Sequence, residues 1–267
     1  MISRPFRDGA SARPRVLALS AVPLVALLAV AGLAPLPYSV ARPGQTRDVL
    51  GAYGGDEVIS LSGAPVRRTS GQLRMVTIMA TAPRADVRLV DLLDGWFRTD
   101  RAVMPKDALF PSGKSDAQIA EHHIADMKKS QNSAVVAALG FLKKDPDRVK
   151  AKLKLDDVGG PSAGLLFSLG IVDKLDGDGS GGDLTGGRKV AGTGTIAADG
   201  TVGAVGGVAL KTQAAKRDGA SVFLVPKAEC AHAKAASEGL RLIPVTTLKG
   251  AVDALRALDN GGPVPAC

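Results

Sequence analysis

The chain begins with an uninterrupted apolar stretch, from about Val16 to Leu36, that contains no charge. Arg4, Arg7, Arg13 and Arg15 precede it. A run of this length suits one crossing of a bilayer, and Pro23 is tolerable near the start of such a helix. Arginines ahead of it, with few basic residues immediately behind, predict an N-in, C-out orientation. The competing reading is a cleaved signal peptide with Ser39-Val40-Ala41 as its small-residue cleavage site. The run is long for a signal's core, so a retained anchor is expected. Either way the bulk of the chain falls outside the cytoplasm.

After Pro35 the pattern lapses until about Gly55, which reads as a linker. Glu57-Val58-Ile59-Ser60-Leu61 and Gln72 to Ala80 then look like strands, the second with partial polar–apolar alternation. Arg84 to Asp100 suggests a turn followed by an amphipathic helix, and Pro105 to Gly113 a loop. Ser115 is a candidate N-cap for a long helix with Ile119, Ile124, Met127, Val135, Ala138 and Leu139 in helical spacing, ending near Gly140. Arg148 to Leu155 alternates cleanly as a strand with one basic face.

The second half alternates strand and helix: a helix from Ser162, a strand Val190 to Ile196, a helix Val208 to Asp218 and a strand Ser221 to Val225. A helix from Glu229 to Glu238, the strand Leu242 to Val245 and a helix Thr247 to Leu258 complete it. This is an α/β (α+β) domain without internal repeats. The expected boundaries are 1–15 cytoplasmic, 16–36 transmembrane, 37–51 linker, 52–258 catalytic-type domain and 259–267 tail.

Composition narrows the function. The 267 residues are enough for one well-cored domain. The net charge is +8, but aromatics are only 3%, too few for base-stacking platforms, so nucleic-acid binding is not expected. The excess charge reads as a solvated basic face plus the N-terminal arginines. Of the two cysteines, Cys230 follows a strand and Cys267 ends the chain. In an oxidising compartment a disulfide between them would pin the tail; in the cytoplasm they would remain thiols.

Two short segments carry candidate chemistry. Gly159-Gly160-Pro161-Ser162-Ala163-Gly164 places a hydroxyl in a bend of small residues just before an apolar helix. Free N–H groups at a helix start can stabilise an oxyanion, Pro161 fixes φ, and the glycines allow a substrate backbone to approach. The plainer reading is that Ser162 is only an N-cap. Gly206-Gly207-Val208-Ala209-Leu210-Lys211 brings one lysine into a helix of small residues, where a surface role like that of Lys216 is the bland alternative. A serine needs a base, and the chain has only His122, His123 and His232. A lysine made neutral by burial would serve.

The order of segments between these two resembles the Lon-type proteases. Gly160-Pro161-Ser162-Ala163-Gly164 is similar to that family's nucleophile motif. Asp183 to Gly187, Val190 to Ile196 and Asp199-Gly200-Thr201-Val202 resemble its next strand and turn. Gly206-Gly207 through Lys211, then Ala214 to Ala220 and Val222 to Pro226, resemble its lysine helix and following strand. Arg67 to Met75 and Ser130-Gln131-Asn132-Ser133-Ala134 further resemble membrane-anchored, ATPase-free Lon-like proteins of actinobacterial type.

The resemblance implies the Lon proteolytic domain fold (ribosomal protein S5 domain 2-like) behind one transmembrane helix, with Ser162 as nucleophile and Lys211 as general base. Thr193 matches a threonine beside the lysine amine, with Gly160 and Pro161 in support. It also implies protein or peptide substrates, a homo-oligomer (hexameric in that family), and no cofactor or metal. A non-catalytic anchored scaffold of the same fold is the alternative, and a serine hydrolase using His232 a weaker one.

Four features depart from the family or mimic others. Gly159 stands where many Lon proteases have an aspartate, the nearest acids being Asp156 and Asp157. Phe141 to Arg148 is only a short link where the anchored relatives usually carry a PDZ domain. Gly182 to Lys189 imitates a P-loop only superficially, with Arg188 in the lysine's place. Asp176, Asp178 and Ser180 imitate a calcium loop, but Gly187 falls where its glutamate belongs, so 177–187 is expected to be a flexible insertion.

Overall fold

A computed structural model of the chain describes residues 13–110, 115–155 and 160–267. Arg4, Arg7, Asp156, Asp157 and Gly159 lie outside these residues. Helix α1 spans Arg13–Leu33. Among the described residues, no helix is long and apolar enough to cross a membrane.

The main sheet has six strands. They are β1 (Tyr38–Asp48), β2 (Gln72–Ala80), β3 (Ala102–Pro105), β4 (Lys189–Gly192), β5 (Val222–Pro226) and β6 (Arg241–Val245). Their order is β6-β5-β4-β2-β1-β3. The first four run parallel, while β1 pairs antiparallel with both β2 and β3.

Strand alternation decides the layering. Val222 and Leu224 face one side with Leu73, Met75, Val190 and Ile243. Phe223 and Val225 face the other with Val76, Ala191 and Leu242. Because the side-chain period is two, β2, β4, β5 and β6 each feed both cores. The first is covered by α3 (Asp116–Phe141), α4 (Gly164–Leu175) and α7 (Leu248–Asp259). The second is covered by α5 (Val208–Arg217) and α6 (Cys230–Lys234). A short strand pair, Ile59–Ser62 with Lys150–Leu153, closes the first core. The result is a mixed α/β architecture in which α4 is buried on every side, consistent with its almost unbroken apolar sequence.

Two helix starts rest on side-chain caps, the first of them expected from the sequence. Ser115 caps α3, its Oγ accepting from the Gln118 N–H at 3.3 Å, with Gln118 returning the bond to the Ser115 N–H at 2.9 Å. Thr247 caps α7 through the Gly250 N–H at 3.0 Å.

Several expectations change. Residues 37–51 are not a linker, because Tyr38–Asp48 forms β1 inside the sheet. Pro43 and Gly44 obscured its alternation, and the strand accommodates them with a register irregularity between Pro43 and Thr46. The strand expected over 190–196 is interrupted between Gly192 and Thr195. The helix expected over 229–238 keeps only Cys230–Lys234. Ser237 Oγ donates to the Lys234 carbonyl there, which competes with continued helix.

The 177–187 loop is tied down rather than loose. Arg67 donates to the carbonyls of Asp173 (3.1 Å) and Gly181 (2.8 Å), and Asp183 accepts from both the Ser70 N–H and its hydroxyl. Asp178 accepts from the Ser180 and Gly182 N–H groups. Among the described residues no cluster of metal-type ligands occurs. Cys230 and Cys267 are joined in a disulfide with a Cα–Cα distance of 5.3 Å.

Candidate active site

Ser162 lies in the bend that leads into α4, half-buried and two residues ahead of Gly164. It is not the N-cap: Ala163 holds that position, without a side-chain cap. The bend is held from two sides. The Ser162 carbonyl accepts from the Gly194 N–H at 2.9 Å, while Leu165 N–H donates to the Gly194 carbonyl at 3.2 Å. From α3, the buried Ser130 hydroxyl donates to the Pro161 carbonyl at 2.9 Å. The interruption after β4 is what turns Gly194 toward Ser162.

Lys211 sits in the first turn of α5. Gly207 caps that helix at φ 70°, a left-handed conformation that favours glycine, and Ile78 crowds the space a Cβ would fill. The inward face of α5 carries Val208, Leu210, Lys211, Thr212, Ala214 and Ala215, all buried. Lys211 therefore runs under the helix against the sheet and is 4% exposed, whereas Lys216 on the same helix is in solvent.

The amine has one polar neighbour of note. Lys211 Nζ donates to Thr193 Oγ1 at 3.0 Å, and that hydroxyl donates to the Ser162 carbonyl at 3.3 Å. Burial pulls the Lys211 pKa down to about 8, opposed in part by the negative charge of Glu229. Among the described residues no hydrogen bond joins Ser162 Oγ to Lys211 Nζ. Ser162, Thr193 and Lys211 are thus gathered at one place, joined through the threonine and the serine backbone.

Two residues gain significance that the sequence did not show. Asp173 is a fully buried acid on α4, bonded through Oδ1 to the Leu184 N–H at 2.8 Å. Its signal was an acid inside an otherwise apolar helix. Glu229 lies 2.8 Å from His232 Nδ1, so that histidine does have an adjacent acid. Both line an open cleft beside the start of α5, with Met104, Val205, Gly206 and Val208. Among the described residues no hydrogen bond joins His232 to Ser162, and the histidine side chain is largely exposed.

The model of the Lon protease (S16) C-terminal proteolytic domain matches residues 156–255, a span that includes Ser162, Thr193 and Lys211. The match supports a Lon-type protease domain here, of the serine peptidase class. No curated protein matches the chain.

Proposed function

We propose that this chain is a membrane-anchored serine endopeptidase that works without ATP on proteins or peptides outside the cytoplasm, with Ser162 as nucleophile and Lys211 as general base. The observation that carries the reading is the state of Lys211. A lysine ordinarily remains an ammonium ion and cannot accept a proton; here burial brings its pKa to about 8, so a substantial fraction is neutral near that pH. Donating one N–H to Thr193 Oγ1 leaves the neutral amine's lone pair free for the serine hydroxyl.

In this scheme Lys211 Nζ takes the Ser162 hydroxyl proton as Oγ attacks the scissile carbonyl carbon. The oxyanion forms against the backbone N–H groups of Ser162 and Ala163 in the bend, since those of Gly164 and Leu165 already donate to the Pro161 and Gly194 carbonyls. The Lys211 ammonium then gives its proton to the leaving amine as the C–N bond breaks. A water deprotonated by the same lysine hydrolyses the acyl-enzyme, returning Ser162. Thr193 positions the amine throughout.

The charge-free run from 16 to 36, with arginines ahead of it, supports the anchor and its orientation. The Cys230–Cys267 disulfide suits an oxidising compartment. The finer resemblance to anchored, ATPase-free Lon-like proteins belongs to this reading, as does a homo-oligomer. A non-catalytic scaffold is favoured by one observation, the lack of a direct Ser162–Lys211 hydrogen bond among the described residues. Catalytic hydrogen bonds often tighten only when substrate binds, so this does not displace the protease reading.

The test is hydrolysis of unfolded casein by the detergent-solubilised full chain, beside Ser162→Ala and Lys211→Ala. Cleavage by the parent and a loss of at least ~10³-fold in each variant is expected. Equal turnover in all three would reject these residue roles. An inert parent would favour the scaffold.

A further inference from the structure

We infer that helix α2, Leu89–Phe97, is a lipid-contacting helix that rests the domain on the bilayer surface. The inference rests on the proposed anchoring through α1. A surface helix of a soluble domain normally turns its apolar side to the core. In α2 the inward positions are Leu92 and Gly95. On the opposite side Val90, Leu93 and Phe97 are 65%, 40% and 85% exposed. Trp96 and Leu89 extend the same apolar surface, at 64% and 37%. A contiguous patch of this kind marks an interaction site rather than ordinary surface scatter.

Position identifies the occupant. Leu36, just past the end of α1, donates its N–H to the Val87 carbonyl at 2.8 Å, and α2 begins two residues after Val87. Helix α1 also packs against α2. Residues 21–31 of α1 are all exposed, and Val22, Leu24, Val25, Leu27, Leu28 and Val30 present bare hydrocarbon. The two apolar surfaces therefore adjoin. With α1 in hydrocarbon, α2 is held at the level of the lipid headgroups, where tryptophan is favoured because its ring is apolar and its N–H is not. A short helix bearing Trp, Phe, Leu and Val outward fits that layer. Its two acids do not oppose the contact. Asp91 accepts from the Arg88 N–H at 2.8 Å at the helix start, and Asp94 is ion-paired with Arg101.

Trp96 is the only tryptophan in the chain, so the full-length protein carries its own probe. The protein would be reconstituted into phosphatidylcholine–phosphatidylglycerol vesicles, and Trp96 emission followed with acyl-chain-brominated lipid and with aqueous iodide. Expected are a shift to shorter wavelength, loss of emission with brominated lipid, and protection from iodide. Phe97→Asp, at an outward position, should reverse all three while the chain stays in the membrane fraction with unchanged circular dichroism. In the membrane-bound parent, quenching by iodide and not by brominated lipid overturns the inference. Protection from both also overturns it, assigning the patch to a second copy or another protein. A chain recovered in the aqueous fraction instead rejects the anchor, and the inference with it.

Discussion

Lys211 Nζ and Thr193 Oγ1 stand 3.0 Å apart, and the same hydroxyl reaches on to the Ser162 carbonyl at 3.3 Å. One threonine thereby joins the lysine helix, the end of β4 and the serine bend. Thr193→Val keeps the shape but strips the buried amine of its partner, leaving a polar group unsatisfied. The expected outcome is a fall in kcat on the order of 10²-fold with little change in KM, and Thr193→Ser should recover most of it. Steady-state assays on a fluorogenic peptide would check this. An unaffected Thr193→Val would remove the threonine from the mechanism.

The pH profile should report Lys211. With its pKa at about 8, kcat/KM should rise with pH through that value and level off above it. Glu229 is the charge that opposes the effect of burial, so Glu229→Gln should lower the pKa further and move the rising limb to more acidic pH. A limb that stays in place would show that Glu229 does not act on the amine. The linkage sign for stability is that of a depressed lysine. The folded state sheds its proton first, so this group's contribution becomes more favourable as pH rises from about 8 toward the ordinary lysine value.

Asp173 makes an opposite prediction at lower pH. Burial, chiefly, raises its carboxyl from 3.8 to about 6, and Oδ2 has no partner among the described residues. The folded state therefore holds the proton more tightly than the unfolded chain, and stability should fall as pH rises from 3.8 through about 6. Asp173→Asn keeps an acceptor for the Leu184 N–H and removes the buried charge. It should flatten that dependence and stabilise the protein above pH 6 by at most ~3 kcal/mol, less whatever Arg67 supplies to the charge. Urea midpoints measured on either side of pH 6 would test it; the same pH dependence in Asp173→Asn would place the titration elsewhere.

Ser130 holds the nucleophile bend from outside it. Ser130→Ala leaves the Pro161 carbonyl without this donor, at a cost of about 1–3 kcal/mol. Because the bond acts on the residue before Ser162, kcat should drop more than thermal stability alone explains. Paired measurement of melting temperature and kcat separates the two. A variant that loses stability yet keeps full kcat at permissive temperature would make Ser130 purely structural.

The legible parts of the fold were those with local causes. The strand Gln72–Ala80 was read to its ends because β-branched and apolar residues alternate without a breaker. The start of α3 followed from the serine cap, to which the structure adds the returning bond from Gln118. The illegible parts were those where a breaker is absorbed by neighbours. Pro43 and Gly44 suggested a linker, but pairing on both edges of β1 stabilises the segment as a strand. The 177–187 loop looked free because the side chain that ties it to the rest of the domain, Arg67, lies more than a hundred residues away in sequence. The amphipathic pattern of α2 was visible as well, but periodicity does not say which face meets the core.

For the site, the sequence determined the ingredients: a serine in a glycine–proline bend, a lysine on a helix of small residues, and a threonine between them in an order that resembles Lon-type proteases. It could not determine the environment of the lysine, since pKa depends on which atoms surround the amine and not on its neighbours along the chain. Only the tertiary structure decided that Lys211 lies under α5 while Lys216 lies in water. Only it broke the strand after β4, so that Thr193 and Gly194 both turn to the Ser162 carbonyl. The physical reason is that desolvation and hydrogen-bond geometry arise from the packing of distant segments, here α5 against the sheet and α4 against α3.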